Sequence, residues 1–275
     1  MPKRAKAPSG FYTASEVMQK LGIGNSTLYK YIDQGKIKRV VPPDRKDGYY
    51  IKAEIDKMVR AKELFILQYS SSPSEFMKAS EEDIQGIYDL CVSLYGATNI
   101  PGYERRLEWY QKNPDIYYVV KQDRIVTGFA SLLYLTDDIL QQIMNTDHPQ
   151  PVKAEHIRLF TPGEPIDHLF ITVGIRPGLD STVRRQHGSH LLTGIIDVLE
   201  DFARKGMPVR KLYATSRTTE GIKLCRDLGF KEAQIKPEDD TLRFELDLET
   251  SDSPFLKKYQ QAIKRRARKV RFAEM

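Results

Sequence analysis

"IRPGLDSTVRRQHGSHLLTGIIDVLEDFARKG", residues 175–206, decides how the larger part of this chain folds. It joins the β-prone run "HLFITVGIRP", apolar enough to lie inside a sheet, to "HGSHLLTGIIDVLEDFARKG", which reads as a long helix. The junction between them has three readings. His187 and His190 stand one helical turn apart, as metal ligands do. A metal needs three or four ligands, however, and no carboxylate lies at compatible local spacing, so His156 or His168 would have to join from afar. The second reading is an ordinary helix start with surplus charge. The third is the basic mouth of a helix whose unpaired amides, from Arg184 through Arg185, Gln186, His187, Gly188 and Ser189 to His190, hold anionic oxygens. Glycine at 188 lets a ligand approach the backbone closely, and Arg184 or Arg185 supplies charge. This third reading is carried forward, and it requires the peptide nitrogens around Gly188 to face outward.

Around this stretch lies a chain of 275 residues, 40% hydrophobic and 29% charged, a composition expected of a soluble globular protein of one large or two ordinary domains. No apolar run approaches a membrane span, and the basic N-terminus has no hydrophobic segment behind it, so no membrane partner is expected. Cys91 and Cys225 lie far apart without CxxC spacing, which fits a reducing, cytoplasmic setting. Charge is segregated. Residues 1–66 hold 14 Lys/Arg against 7 Asp/Glu and residues 251–275 hold 8 against 2, whereas the middle carries a net −7. Two basic ends on an acidic body point to a polyanion at the ends and another task in between.

The first basic end reads as two short helices. Thr13 to Glu16 forms a capping box, Val17, Met18 and Leu21 recur at helical spacing, and Gly22 is a left-handed stop. Asn25 or Ser26 is expected to cap a second helix that presents Leu28, Tyr31 and Ile32 on one face and ends at Gly35. "KIKRVV", "PPDRKDG" and "YYI" then read as strand, loop and strand, and an amphipathic helix runs from Lys52 to about Leu67. The pattern "YTASEVMQKLGIGNSTLYKYIDQGKI", with the wing ending at Tyr50, resembles the winged helix-turn-helix domains of the MerR and excisionase type over roughly residues 10–66. The resemblance implies binding of double-stranded DNA, with the second helix in the major groove and the wing along the backbone. It assigns Asn25, Ser26, Thr27, Tyr29 and Lys30 to bases or phosphates, and Lys36, Lys38, Arg39, Arg45 and Lys46 to phosphates. It also implies a homodimer. The metal ligands by which some such proteins sense metals are missing, so no metal is expected. The expected divisions are a winged domain over 1–67, a serine-rich linker over 68–79, a second domain over 80–250 and a basic helical tail over 251–275.

The second domain reads as a helix from Ser80, a hairpin ("DIYYVVKQ", "IVTGFASLLYL") turning near Asp123, a helix "TDDILQQIMN", a loop-like insertion, and then strand, helix, strand, helix, strand. That order predicts an α/β (α+β) fold with a mixed sheet flanked by helices. Taken with "KLYATSRTTEGIKLCRDLGF", residues 211–230, the opening stretch resembles the GNAT acetyltransferase family over roughly residues 78–248. That family's signature is Q/R-x-x-G-x-G/A. Arg185 and Gly188 match it and His190 departs. The resemblance implies acetyl-coenzyme A as cofactor, its diphosphate near Gly188 and its pantetheine arm paired with Phe170–Ile175, including Val173, Gly174 and Ile175. It further implies transfer of the acetyl group to an amine.

Transfer needs a base and an acid. The family's usual acid, a tyrosine, falls on Cys225 and a usual asparagine falls on Thr218. Cys225 could serve as the acid or be a small buried hydrophobe. Tyr213 and Ser216 are substitutes, and Asp167 and His168 are the base candidates. Three functions follow: a DNA-binding regulator that also acetylates an amine, a regulator whose second domain only senses an acyl-coenzyme A, and an acetyltransferase whose first domain docks onto a protein.

Overall fold

The computed structural model describes residues 7–43, 47–69, 72–98, 100–233 and 240–273. The chain divides into two compact units, Met1–Ser71 and Ser72–Met275.

In the first unit, β1 (Phe11–Tyr12) leads into α1 (Ala14–Leu21) and α2 (Asn25–Asp33), followed by β2 (Arg39–Val40), β3 (Tyr49–Ile51) and α3 (Lys52–Tyr69). The strands form an antiparallel sheet in the order β1-β3-β2. The capping box is closed at both ends: the Thr13 amide donates to the Glu16 carboxylate at 2.7 Å and the Glu16 amide donates to the Thr13 hydroxyl at 3.3 Å. These bonds hold the Glu16 carboxyl below its usual pKa. Val17, Leu21, Leu28, Ile37, Tyr50 and Ile55 make the core, with Tyr31 and Ile32 against it. The Lys62 ammonium donates to the Leu21 carbonyl at 2.6 Å and so caps α1 from α3. One expectation is corrected here. Gly24, not Asn25 or Ser26, is the residue before α2 and it makes no side-chain cap, so Asn25 and Ser26 are left in the first helical turn with their side chains exposed.

The second unit is built on a seven-stranded sheet. Its elements are β4 (Glu75–Lys78), α4 (Asp83–Tyr95), α5 (Tyr103–Lys112), β5 (Tyr117–Gln122), β6 (Ile125–Leu133), α6 (Asp137–Asn145), β7 (Ile166–Ile175), α7 (Ser181–Lys205), β8 (Val209–Ser216), α8 (Thr219–Asp227), β9 (Lys231–Glu232), β10 (Leu242–Asp247) and α9 (Lys257–Ala273). The strand order is β4-β5-β6-β7-β8-β10-β9. Among the described strands only β7 and β8 pair in parallel, with α7 as the crossover. Asp123 and Arg124, both at positive φ (50° and 65°), form the two-residue turn between β5 and β6.

Period-two alternation buries both faces of this sheet. Tyr118, Val120, Ala130 and Leu132 face one cluster with α7 and α9, while Tyr117, Val119, Phe129 and Leu133 face another with α4, α5 and α6. One sequence reading is corrected and two segments gain a place. The stretch 68–79 is not simply a linker, because it contains β4, whose Phe76 stacks on Tyr118 at 5.7 Å. The segment α5 was not anticipated at all. The basic tail 251–275 packs on the second unit's own helix α7 over its described part. Leu256, Tyr259 and Ala262 are buried in the α7 cluster, and Arg266 donates to the Arg204 carbonyl at the end of α7 at 2.8 Å.

Tyr259 fastens α9. Its hydroxyl donates to the Val209 carbonyl and accepts from the Val209 amide, both at 2.6 Å and both buried. Burial pushes its pKa up, so it stays protonated and keeps both bonds. Tyr259→Phe leaves both backbone groups of Val209 unpaired in the core. Its expected cost is about 1–3 kcal/mol of unfolding free energy, read by urea titration as a lower midpoint at unchanged slope.

Candidate functional site

The first unit presents a polar face on α2. Asn25, Ser26, Tyr29 and Lys30 are exposed, and the spacing 25, 26, 29, 30 puts them on one side of the helix. Leu28 is buried behind them and Thr27 is half-buried. Tyr29, 48% exposed, belongs to this face. Tyr31 packs against the core, and Lys36 lies over its ring at 5.3 Å. Lys38 is exposed just before the wing, and Arg39 is half-buried in β2. Arg45 and Lys46 lie outside the described residues.

In the second unit the expected helix mouth is not where the motif places it. The helix α7 begins at Ser181, after an Asp180 cap whose carboxylate accepts from the Thr182 amide at 2.8 Å. Gly188 therefore sits in the third turn, where amides are bonded to carbonyls four residues back, and the expectation of outward-facing nitrogens at Gly188 is corrected. The start signal is Asp180-Ser-Thr, which sets the helix mouth ahead of the motif. The true N-terminus is also unsuited to a second anion. The amides at the helix start, Thr182 first, hold the Asp180 carboxyl below its usual pKa, so a negative charge already occupies the position.

Both histidines of the motif hold structure together. His187 is 1% exposed, and its Nε2 lies 3.1 Å from Gln122 Oε1. Gln122 in turn donates to the Ser72 carbonyl at 3.0 Å. Burial first, and His190 second, push the His187 pKa down, so it is neutral at pH 7. His190 Nδ1 is 2.7 Å from the Ser74 hydroxyl. The two rings thus engage different partners. Among the described residues no group of three or more His, Cys, Asp or Glu side chains converges as a metal site. Arg184, Arg185, Gln186 and Ser189 are exposed on the same helix, with Arg185 Nε donating to the Ser181 carbonyl at 3.3 Å.

The pronounced irregularity of the sheet lies beside α7. Strands β7 and β8 are paired from Ile166–Val209 to Phe170–Tyr213 and then separate. Beyond that point β7 still pairs with β6 through Gly128–Ile175, and β8 still pairs with β10 through Ser216–Leu242. Each strand keeps one partner and leaves its inner edge bare. Between them lies a narrow cavity of about 90 Å³ lined by Ile171, Val173, Leu192, Ala214, Cys225 and Phe230, among others. Gly174 is glycine for a packing reason: a Cβ there would come within 2.6 Å of Phe129 and 2.7 Å of Leu94.

Tyr213 and His168 are brought into contact, but Cys225 is not brought to either of them. Cys225, on α8, lines the narrow cavity, and burial pushes its thiol up to about 11. Tyr213 lines a different depression with Glu245 and Lys231, and its pKa is raised by burial. His168 is buried rather than at the surface. Its Nε2 donates to the Leu135 carbonyl at 3.0 Å, its ring stands edge-on to Tyr213 at 6.3 Å, and burial lowers its pKa. With Nε2 carrying the proton, the basic nitrogen of His168 is Nδ1, which lies 3.7 Å from Asp137 Oδ1 in a residue only 6% exposed, so a base role is disfavoured by burial. Asp167 is ion-paired with Arg210 at 3.0 Å.

On the other side of the sheet a larger cavity, about 760 Å³, is lined by Arg106, Trp109, Ser131, Phe170 and Thr215, among others, and shares Tyr95 and Thr172 with the narrow one. It was not foreseen. The signal was present in "YERRLEWYQK", where Arg106 and Trp109 are one helical turn apart.

Comparison with known proteins agrees with the local geometry of the first unit. Residues 11–63 match the model of a helix-turn-helix domain family. A search of curated proteins found no significant match. Among solved structures, the second unit is similar to an N-acetyltransferase from Staphylococcus aureus Mu50, with 18% identity over 64% of this chain and 99% of that one and a TM-score of 0.41. It is also similar to the ribosomal-protein-S18-alanine N-acetyltransferase from Escherichia coli, with 16% identity over 64% of this chain and 94% of that one and a TM-score of 0.39. Ard1 from Thermoplasma volcanium gives 15% identity over 62% and 94%, with a TM-score of 0.41. These values are too low for residue-by-residue correspondence. The architecture is a helix-turn-helix domain with a small wing, followed by a mixed β-sheet flanked by helices.

Proposed function

We propose that this chain is a DNA-binding regulator whose second unit holds an acyl thioester of coenzyme A between β7 and β8, with occupancy coupled to DNA affinity. The observation that carries the ligand half is the parting of those strands beyond Phe170 and Tyr213. Bare strand edges invite an added strand or a ligand that imitates one. The pantetheine arm is such a ligand, being thin, extended and punctuated by amides. Ile171, Val173, Leu192 and Phe230 wall the space with apolar surface. Acetyl-coenzyme A is the thioester that the family resemblance implies. With the Gly188 amides inside a helix, the exposed guanidinium groups of Arg184 and Arg185, rather than backbone, are the groups for its diphosphate.

Sensing fits this geometry better than transfer. A thiol pushed up to about 11 is a weak proton donor, and His168 is buried and among the lining residues of neither cavity. The DNA half rests on the exposed face of α2 and the basic wing of a domain that matches a helix-turn-helix model.

Calorimetry tests the coupling. Acetyl-coenzyme A is expected to bind with an affinity that changes when duplex DNA is present, and DNA affinity is expected to change by the same factor when the thioester is present. Ala214→Phe fills the narrow cavity and is expected to abolish thioester binding while leaving basal DNA affinity intact. Failure of acetyl-coenzyme A to bind the native chain sinks the ligand half. Gly188→Ala meets no neighbouring atom within 4 Å and is expected to stabilise the unit by about 0.5–1 kcal/mol. It should leave thioester affinity unchanged, whereas a large loss would return the diphosphate to the Gly188 backbone. Lys30→Ala and Lys38→Ala are each expected to weaken binding to all duplexes alike and to lower the salt-dependence slope by about 1.

A further inference from the structure

Arg106 is a buried cation without a counter-charge. It stands on α5, 6% exposed, and its Nε donates to the Pro101 carbonyl at 3.2 Å. Among the described residues no carboxylate pairs with its guanidinium. Its ionisable neighbours do not offset it, because burial pushes the Cys91 thiol up to about 11 and raises the Tyr117 phenol as well, leaving both neutral. One helical turn on stands Trp109, 4% exposed. Both residues line the cavity of about 760 Å³ on the face of the sheet away from Cys225.

That cavity has the size of a small-molecule site, for which roughly 300–1,000 Å³ is usual. Its charge is positive. The carboxylate on its wall, Asp147, is held by Arg243 at 2.8 Å, and Arg217 adds a second cation at the rim. Leu133 and Phe170 give it an apolar floor. A buried guanidinium with only neutral neighbours is costly until an anionic acceptor meets it. The planar fork of arginine is matched by a carboxylate, which takes two parallel N–H bonds.

We propose that this cavity binds a small organic carboxylate, its head taken by the Arg106 guanidinium and its apolar body laid against Trp109, Leu133 and Phe170. The assignment does not depend on what occupies the space between β7 and β8. It supplies a second ligand class, a free organic acid, to a protein whose other cavity suits a thioester.

Trp109 is the chain's single tryptophan, so its emission reports on the site directly. The probes are octanoate and its neutral counterpart octanamide, titrated against the full chain. Octanoate is expected to shift Trp109 emission saturably, and octanamide to bind about tenfold more weakly or worse, a difference of about 1.4 kcal/mol. Arg106→Lys keeps the charge and removes the fork, so it is expected to erase most of the preference for octanoate while octanamide affinity stays as it was. Equal affinity for the two probes, no saturable response to octanoate at millimolar concentration, or a folded Arg106→Lys chain with its preference intact would each overturn the assignment. The comparison of the two probes on the native chain stands by itself if Arg106→Lys does not fold.

Discussion

Backbone hydrogen bonding between β7 and β8 is the constraint on which the second unit turns. The pairing joins two halves of the sheet, β4-β5-β6-β7 and β8-β10-β9, through four paired positions from Ile166–Val209 to Phe170–Tyr213. Had the strands stayed together, the sheet would be continuous and the cavities on its two faces would be closed off from each other. Because they part, several peptide groups of β7 lack a partner strand on one side. Such groups need water or a ligand. The sheet tolerates the gap because β6 and β10 continue to hold the outer edges and α7 bridges the two halves. The same parting makes Tyr95, Thr172 and Thr215 common walls of both cavities.

Placement of α7 shows how a short motif can mislead when read without its flanks. Arg185 and Gly188 suggest the open mouth of a helix, and glycine is indeed a poor residue for a helix interior. The stronger local signal lay eight residues earlier, where Asp180 caps the helix and Ser181 and Thr182 follow. Tertiary packing then secures the early turns, since His187 is buried against Gln122. A single glycine costs less than these contacts return. The helix accordingly runs through the motif, and the consequence for chemistry is direct: side chains, not amides, are presented to solvent there.

Much of the fold was legible because local signals agreed with one another. The capping box at Thr13, the two-residue turn at Asp123-Arg124 and the alternating apolar pattern of β5 and β6 each act over a few residues, where sequence is informative. What was missed depends on distant partners. Strand β4 is only four residues long and is defined by β5. The basic tail looks like a solvated helix until Tyr259 finds the Val209 backbone fifty positions away. The candidate site divides the same way. The α2 face follows from helical spacing, whereas the separation of Cys225 from the Tyr213–His168 pair follows from the sheet that lies between them. Nothing in their spacing records that.

The hydrogen bonds of α7 also bear on how a ligand between β7 and β8 could be felt elsewhere. Leu192 and Ile195 of this helix wall the narrow cavity, and one turn earlier His187 and His190 reach the start of the second unit. Gln122 accepts from His187 through Oε1 while its amide donates to the Ser72 carbonyl, which fixes the proton of His187 on Nε2 and leaves its Nδ1 without a partner. The Ser74 hydroxyl is bonded to His190. Residues 72 and 74 are therefore held by the same helix that lines the ligand space, within a few residues of the first unit's last helix. A rigid helix transmits a small shift along its whole length, because its own bonds resist bending more than the contacts at its ends do. If an acyl thioester occupies that space as proposed, displacement of α7 at Leu192 would be felt at His187 and His190, and through Gln122 and Ser74 at the backbone that begins the second unit.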